Sequence, residues 1–324
     1  MPRSEKMNKP LISIIVCTYN RASMLKEAMR HILCQSYEPV EILVIDDGST
    51  GSTEEVISEY KGSISYYRQE NKGIATARTV ACEKLAKGEY IAFQDDDDIM
   101  PPHRITCLYE AMRLHPRAVL ATGDWELIDV DGRQTGRRVA FDVKGKNGEP
   151  LLIEDGYKAV MWPLVTPIPS TTIFRRTDGH RIGWFDARFS RSSDTDFFAR
   201  LGKLGPVLYV PQIVDYYRTG HPHLWSDDIL SSLHCEYSNV QLYEKHLNSI
   251  EHTQREMRTR LQERLLNSLK RIAFLVQFDK KQALISRDYV KRGLSLLGIK
   301  DRLLYALYNN MKLPLRNALK PELN

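Results

Sequence analysis

Apolar residues fall in short blocks along the first hundred positions, and the blocks alternate between two periods. Leu11-Ile-Ser-Ile-Ile-Val-Cys17 is a near-continuous apolar run of strand length, as expected where both faces of a strand are covered. Leu25, Ala28, Met29 and Ile32 then recur at helical spacing and mark one face of a helix. Val40 to Ile45 reads as a second buried strand, ended by Asp46-Asp47-Gly48-Ser49. Ser52 and Glu55 have the spacing of a capping box and open a short helix. Ser63 to Arg68 reads as a third strand. Ile74, Ala77, Ala81 and Leu85 outline another helix, stopped by Gly88. A fourth strand, Tyr90 to Phe93, runs straight into Asp95-Asp96-Asp97-Asp98.

Alternation of this kind predicts an α/β fold: an open, mostly parallel, Rossmann-like sheet covered on both faces by helices. Such sheets bind ligands beyond the carboxyl ends of their strands. Each polar cluster falls at that end: Thr18-Tyr19-Asn20-Arg21, Asp46-Asp47, and Asp95 to Asp98. Three clusters are thereby expected on one edge.

The middle of the chain is less regular. Asp131-Gly132 marks a turn between short strands. Residues 142 to 169 are rich in Pro, Gly and Lys and read as a mobile connection. A helix is expected near Asp194 to Leu201, a strand at Val207 to Val210, and almost continuous helix from about 228 onward.

Composition adds a second theme. The 324 residues carry a net charge of +5, yet from Arg255 to the end there are 16 Lys and Arg against 6 Asp and Glu. That surplus of ten leaves the first 254 residues at −5. An acidic body with a basic tail implies two jobs on one chain. It does not imply nucleic acid, because no binding motif accompanies the tail and the body has the wrong sign. The tail mixes Arg258, Arg260, Arg264, Lys270 and Arg271 with Leu261, Leu265, Leu266, Leu269 and Ile272. Two readings stand: a helical appendage packed on protein, whether the catalytic body or a second copy in a homo-oligomer, or a peripheral contact with an anionic membrane surface. Five scattered cysteines without a CxxC pair fit a reduced compartment better than a disulfide framework or zinc site. The longest early apolar run is too short for a membrane span. The expected location is therefore cytoplasmic, with the basic tail leaving room for the inner face of the plasma membrane.

Chemistry concentrates in the acidic run. Adjacent carboxylates about 4 Å apart near a protein surface repel by roughly 4 kcal/mol per pair. Alternation along an extended strand would send Asp95 and Asp97 to one side and Asp96 and Asp98 to the other. A divalent cation would relieve the repulsion further: one or two carboxylates with phosphate oxygens is the usual way a protein holds Mg²⁺, and Mn²⁺ takes similar ligands.

Ile12-Ser-Ile-Ile-Val-Cys-Thr-Tyr-Asn-Arg21, Val44-Ile-Asp-Asp-Gly-Ser-Thr50 and Gly88-Glu-Tyr-Ile-Ala-Phe-Gln-Asp-Asp-Asp-Asp98 resemble the successive signatures of glycosyltransferase family 2, over roughly residues 10 to 225. The N-terminal half is similar to the family's spore-coat polysaccharide type. The resemblance implies a GT-A fold and metal-dependent, inverting sugar transfer from a nucleotide-diphosphate donor, UDP-linked by preference. It implies a glycan or lipid-linked glycan acceptor in surface polysaccharide synthesis. A catalytic domain would span 1–227, with donor binding at about 10–105 and the acceptor side and base at about 118–227. A basic helical region, 228–324, would follow.

Residue by residue, the resemblance gives Thr18 and Tyr19 to the base pocket, together with the neighbouring Arg21 to the donor site. Asp47 or Asp46 would accept from the ring N3–H, and Asp96 would hold the ribose. Asp97 would bind Mn²⁺ or Mg²⁺, with Asp95 as the other half of the DxD pattern. Arg78 stands in the family's Ala-Arg-Asn element, where Thr79 replaces the Asn. Ser193-Asp194-Thr195-Asp196-Phe197 is similar to the element that carries the general base, which makes Asp194 the base. Tyr217-Arg218-Thr219-Gly220-His221 resembles a late Tyr-Arg-x-His element with one insertion, giving Arg218 to phosphate and His221 (or His223) to metal or phosphate. Pro169 to Thr172 falls where the family builds acceptor surface. Rival readings are a sugar-nucleotide nucleotidyltransferase, which would want a glycine-rich phosphate loop after the first strand, and a non-catalytic nucleotide-sugar-binding partner protein.

Overall fold

The computed structural model describes residues 9–141, 143, 148–220, 229–251, 253–275, 289, 290, 293 and 295. The chain divides into two compact units: Met1–Ala187 with Ser193–His221, and Arg188–Ser192 with Pro222–Asn324.

In the first unit the expected alternation is realised as β1 (Ile12–Thr18), α1 (Ala22–Ile32), β2 (Val40–Asp46), α2 (Thr53–Ser58), β3 (Ser65–Arg68), α3 (Ile74–Val80) and β4 (Tyr90–Asp95). A π-helical turn, Ala81–Leu85, extends α3. Helix α2 forms where expected, but Ser52 makes no side-chain cap. Then come α4 (Arg104–Leu114), β5 (Leu120–Ile128), β6 (Gln134–Val139), β7 (Leu151–Ile153), α5 (Gly156–Met161), β8 (Thr172–Arg175), α6 (Arg176–Ile182), α7 (Ser193–Gly202) and β9 (Val207–Arg218). The stretch from 142 to 169 is thus more than a connection, since it contributes β7 and α5. A lone strand of three residues and a six-residue helix are too short to leave a periodic signal.

Among the described residues the nine strands form one sheet in the order β3-β2-β1-β4-β8-β5-β9-β7, with β6 paired to β5. The β3-β2-β1-β4 half is parallel. Beyond it, β8 runs antiparallel to both β4 and β5, while β5 and β9 are parallel. All of β1 is buried, as its near-continuous apolar run leads one to expect.

Alternation along β1 sends Ile12, Ile14 and Val16 to one face, into a core with Leu25 and Met29 of α1 and Leu108 and Met112 of α4. Another cluster is aromatic. Phe93 of β4 meets Phe174 of β8 and Phe185, and Phe197 of α7 stacks on Phe185 with centroids 4.2 Å apart. Each buried Phe contributes about 1.5–3 kcal/mol, so α7 is anchored firmly. Its other side approaches α5 at backbone contact: a Cβ at Gly202 would lie 2.5 Å from the Gly156 carbonyl oxygen. Only glycine permits that approach.

The second unit contains α8 (Ile229–Ser249) and α9 (Arg255–Leu275), which pack on each other. Met257, Leu261, Leu265, Leu269 and Ile272 form the buried stripe of α9. Three of its arginines reach α8: Arg258 donates to the Leu247 carbonyl, Arg264 lies over the Tyr243 ring, and Arg271 pairs with Glu236. Among the described residues, the apolar face that a membrane-surface helix would expose is therefore inside a helical pair. No helix among the described residues is long and apolar enough to cross a membrane. All five cysteines are free thiols.

Candidate active site

Register brings the three polar clusters level. Thr18 at the end of β1 stands opposite Asp46 at the end of β2, and Cys17 stands opposite Asp95 at the end of β4. The Thr18 hydroxyl donates to Asp96 Oδ2 at 2.6 Å. Arg21, where the loop after β1 enters α1, sends Nη1 to Asp96 Oδ1 and to Asp97 Oδ2, both at 2.9 Å. Tyr19 is 47% exposed at this edge, with a free ring surface of the kind that stacks on a base.

Only Asp95 belongs to β4, and the chain turns immediately after it. The expected alternation of the four carboxylates therefore fails. Asp96 and Asp97 converge on Arg21, whereas Asp95 Oδ1 is taken by Arg78 Nη2 at 2.7 Å. Asp98 turns back into the protein and accepts the Arg218 amide. A turn replaces the period-2 strand because Ile99 exchanges two backbone bonds with Tyr216 of β9, pinning the acidic loop.

Burial dominates the electrostatics of this loop. It pushes the Asp97 carboxyl up to about 7, with Asp96 and Asp95 adding to the shift and Arg21 opposing it. Asp96 is also raised by burial, against Arg21 and the Thr18 hydroxyl. Burial likewise raises Asp194, against Arg78 and the Thr195 amide that Asp194 Oδ1 accepts at 2.7 Å. Arg78 is thus the charge that both Asp95 and Asp194 feel. It is itself buried between the rings of Phe93 and Phe185, 5.5 and 5.7 Å from their centroids. Thr79, its neighbour, bonds the Phe185 backbone and ties α3 to the aromatic cluster beneath α7.

Asp46 and Asp47 are both buried and engaged. Asp46 accepts from the Ser49 amide and the Tyr66 hydroxyl, each at 2.8 Å. Asp47 accepts from Gln69 and from the amides of Lys72 and Gly73. Their carboxylates hold the loops after β2 and β3, and any ring contact would be additional to that work.

Arg218 departs from expectation. It is 3% exposed, and its guanidinium donates to the Asp97 carbonyl (2.7 Å), the Val130 carbonyl (2.8 Å) and Glu27 Oε2 (2.8 Å). It stands at the carboxyl end of β9, and these three acceptors turn it into a bracket beneath the acidic loop rather than a group aimed outward at phosphate. His221 and His223 lie outside the described residues. Pro169 to Thr172 is also turned inward: Ser170, Thr171 and Thr172 are fully buried, and Ser170 Oγ accepts the Asp95 amide. That stretch supports the acidic loop from behind.

Several supporting residues gave no sign in the sequence. Arg104 is fully buried and bonds Gln94 Oε1 at 2.6 Å and the Phe93 carbonyl at 2.7 Å. Asp215 lies near it, and burial raises both Asp215 and Asp98 well above the carboxylate range. Asn20 adopts a left-handed backbone (φ 55°). Its Oδ1 accepts the Thr50 amide while its own amide donates to Ser49, which locks the first two loops together.

A parallel half-sheet with its acidic loop at the carboxyl edge, extended by a mixed half flanked by α7, is the GT-A arrangement. The model for "Glycosyl transferase family 2" matches residues 13–182, and the chain belongs to that family. The match ends before Asp194 and Arg218. An uncharacterized glycosyltransferase of Rickettsia felis is 29% identical over 208 residues, covering 63% of this chain and 33% of the relative. The chain thus spans about a third of that curated relative's length. Two solved structures share the fold at 17% identity. One is S. aureus TarS 1–349 in complex with UDP-GlcNAc (TM-score 0.54; 89% of this chain and 90% of that one). The other is the mannosyltransferase PcManGT of Pyrobaculum calidifontis in complex with GDP-Man and Mn²⁺ (TM-score 0.57; 93% and 88%).

Proposed function

We propose that this chain transfers a sugar, with inversion, from a nucleotide-diphosphate donor to an acceptor hydroxyl in surface polysaccharide or glycan synthesis. We assign the catalytic region to 1–227 and a separate basic C-terminal region to 228–324, of which α8 and α9 are the described helices. The observation that carries the reading is the meeting, at one sheet edge, of exposed Tyr19, the Asp96–Asp97 pair and the Arg78 charge shared by Asp95 and Asp194. Family membership and relatives named as glycosyltransferases support the reaction class. The TarS and PcManGT complexes support a nucleotide-sugar donor, and we favour UDP over GDP.

Tyr19 stacks on the base, Thr18 and Asp96 bind toward the ribose, and Asp46 and Asp47 shape the base pocket through the loops they hold. Asp194 takes the proton from the attacking hydroxyl. Its raised pKa suits a base that must hold that proton, and general-base assistance of this kind contributes about 10²–10⁴-fold. Attack from the face opposite the leaving group inverts the sugar carbon. Among the described residues no group of three or more acidic or imidazole side chains gathers as a metal site, so a hard divalent cation would rest on Asp97 together with phosphate oxygens of the donor; the charge strain that burial places on Asp97 favours an arriving positive charge. Asp97 would hold Mn²⁺ or Mg²⁺ with Asp95 nearby, although Asp95 is already paired to Arg78. Such an ion, when bound, neutralises charge on the departing diphosphate.

The test is to incubate the protein with a panel of UDP-, dTDP- and GDP-sugars, with and without Mn²⁺, and to follow nucleoside diphosphate release and anomeric configuration by NMR. Metal-dependent release with inversion supports the proposal. Pyrophosphate exchange in its place would point to nucleotidyl transfer and overturn it.

A further inference from the structure

Three residues stand abreast at the carboxyl edge of the parallel half-sheet. Thr18 of β1 pairs in register with Asp46 of β2, and Asp46 pairs in register with Arg68 of β3. Residues paired in this way send their side chains to the same face of a sheet. Thr18 and Asp46 are buried and engaged: the Thr18 hydroxyl donates to Asp96, and the Asp46 oxygens accept from the Ser49 amide and the Tyr66 hydroxyl. Arg68 ends the row differently. Its side chain is 49% exposed, with Nε 3.7 Å from Asp46 Oδ2 and Nη2 donating to the Ser49 carbonyl at 2.8 Å. Ser49 Oγ in turn accepts the amide of Asn20, the residue after Tyr19. The loop that carries the exposed Tyr19 ring is therefore tied to the loop on which the guanidinium rests.

A guanidinium has five N–H donors, and among the described residues Arg68 spends one in a hydrogen bond, to Ser49. Its ion pair with Glu54, at 3.8 Å, joins two exposed side chains and is screened by solvent. Asp47, next along the chain from Asp46, accepts one bond at Oδ2, from the Gly73 amide, and a carboxylate oxygen can accept two. Donor and acceptor thus flank Asp46, one across the sheet and one along the chain. Nucleobases meet such a pair in two ways. Uracil, thymine and guanine carry a ring N–H beside a carbonyl, which complements a carboxylate beside a guanidinium. Cytosine and adenine carry a bare ring nitrogen beside an amino group, which sets lone pair against carboxylate and N–H against guanidinium. A site built to pair the first edge rejects the second, because its own polar groups are left unpaired.

We infer that Arg68 is a specificity-determining residue of the donor site: its guanidinium donates to the base carbonyl beside the ring N–H that Asp47 accepts, so the site selects nucleoside diphosphates with that edge. This rests on the proposed nucleotide-sugar reading of the site. Recognition of the base in this way does not depend on the cation.

Isothermal titration calorimetry of the full chain tests it with UDP, 4-thio-UDP and CDP, in wild type, Arg68→Met, Arg68→Gln and Glu54→Gln. Sulfur is a weak acceptor, so 4-thio-UDP keeps the ring N–H and loses the carbonyl bond alone. Wild type should bind UDP about tenfold tighter than 4-thio-UDP, and CDP more weakly still. In Arg68→Met the affinity for UDP should fall about tenfold and the discrimination against 4-thio-UDP should vanish. CDP should stay below UDP there, since Asp47 is intact. Glu54→Gln, which breaks the outer ion pair alone, should leave all three affinities unchanged. The inference is overturned if wild type binds UDP and 4-thio-UDP equally, or if a folded Arg68→Met protein discriminates between them as wild type does. It is also overturned if Glu54→Gln reproduces the Arg68→Met effect, which would assign that effect to the surface ion pair. If Arg68→Met does not fold, Arg68→Gln decides on the same criteria. In each of these cases UDP binding by wild type keeps the donor reading intact, whereas a wild type that binds no nucleoside diphosphate removes the reading and the inference together.

Discussion

Arg218 separates two accounts of the acidic loop, and replacing it with methionine tests them. Methionine keeps most of the length and loses every donor. In the structure the guanidinium makes two short bonds to carbonyls, the buried one of Asp97 and the partly buried one of Val130. Charge-assisted bonds of this kind contribute about 1.5 kcal/mol each at the lower end. The ion pair with Glu27 adds no more than about 1 kcal/mol, because the Glu27 side chain is 39% exposed and solvent screens it. The expected loss is therefore about 3–4 kcal/mol, or roughly 10 °C in the unfolding midpoint of a domain of this size. The Arg218 amide still donates to Asp98 in the variant, so the loop should loosen at Asp97 without unravelling. Differential scanning calorimetry measures the midpoint, and Mn²⁺ titration measures the consequence at Asp97. A variant of wild-type thermal stability that has lost only diphosphate affinity would refute the bracket and restore the outward, phosphate-binding role suggested by the sequence.

Other expectations follow from the same geometry. Asp194→Asn should lower kcat by at least 10²–10⁴-fold while the donor KM stays nearly constant; parallel loss of donor affinity would count against Asp194 as the base. Burial raises Asp194, so kcat should climb on the acidic limb of the pH profile as that carboxyl loses its proton. Asp97 is pushed up to about 7, and only its ionised form attracts a cation. Mn²⁺ affinity should therefore fall by about tenfold per pH unit below about 6.5 and level off above about 7.5; a flat profile between those limits contradicts this. Asn20→Val should cost about 2–3 kcal/mol, from a β-branched residue forced to positive φ and the lost bond to Thr50. Asn20→Gly should cost only about 1 kcal/mol, and equal losses in thermal denaturation would show that backbone strain is not the larger part.

Much of the parallel half of the sheet was legible before folding was considered. A strand covered on both faces must be apolar throughout, so Leu11 to Cys17 and Val40 to Ile45 announced themselves. The polar residues that ended them had to fall at the ligand-binding edge. Family motifs added the names of the residues there. Partnerships were not legible. Arg218 and Glu27 are 191 positions apart, Gln94 and Asp215 are 121 apart, and no local pattern encodes such a pairing. Nor could strand periodicity foresee that the acidic run leaves β4 after Asp95. The turn there depends on the bonds between Ile99 and Tyr216. Periodicity and motif are properties of neighbouring residues and can be read along the chain. The orientation of a buried charge is set by whichever distant group offers it a hydrogen bond, and that choice exists only once the sheet has closed its register.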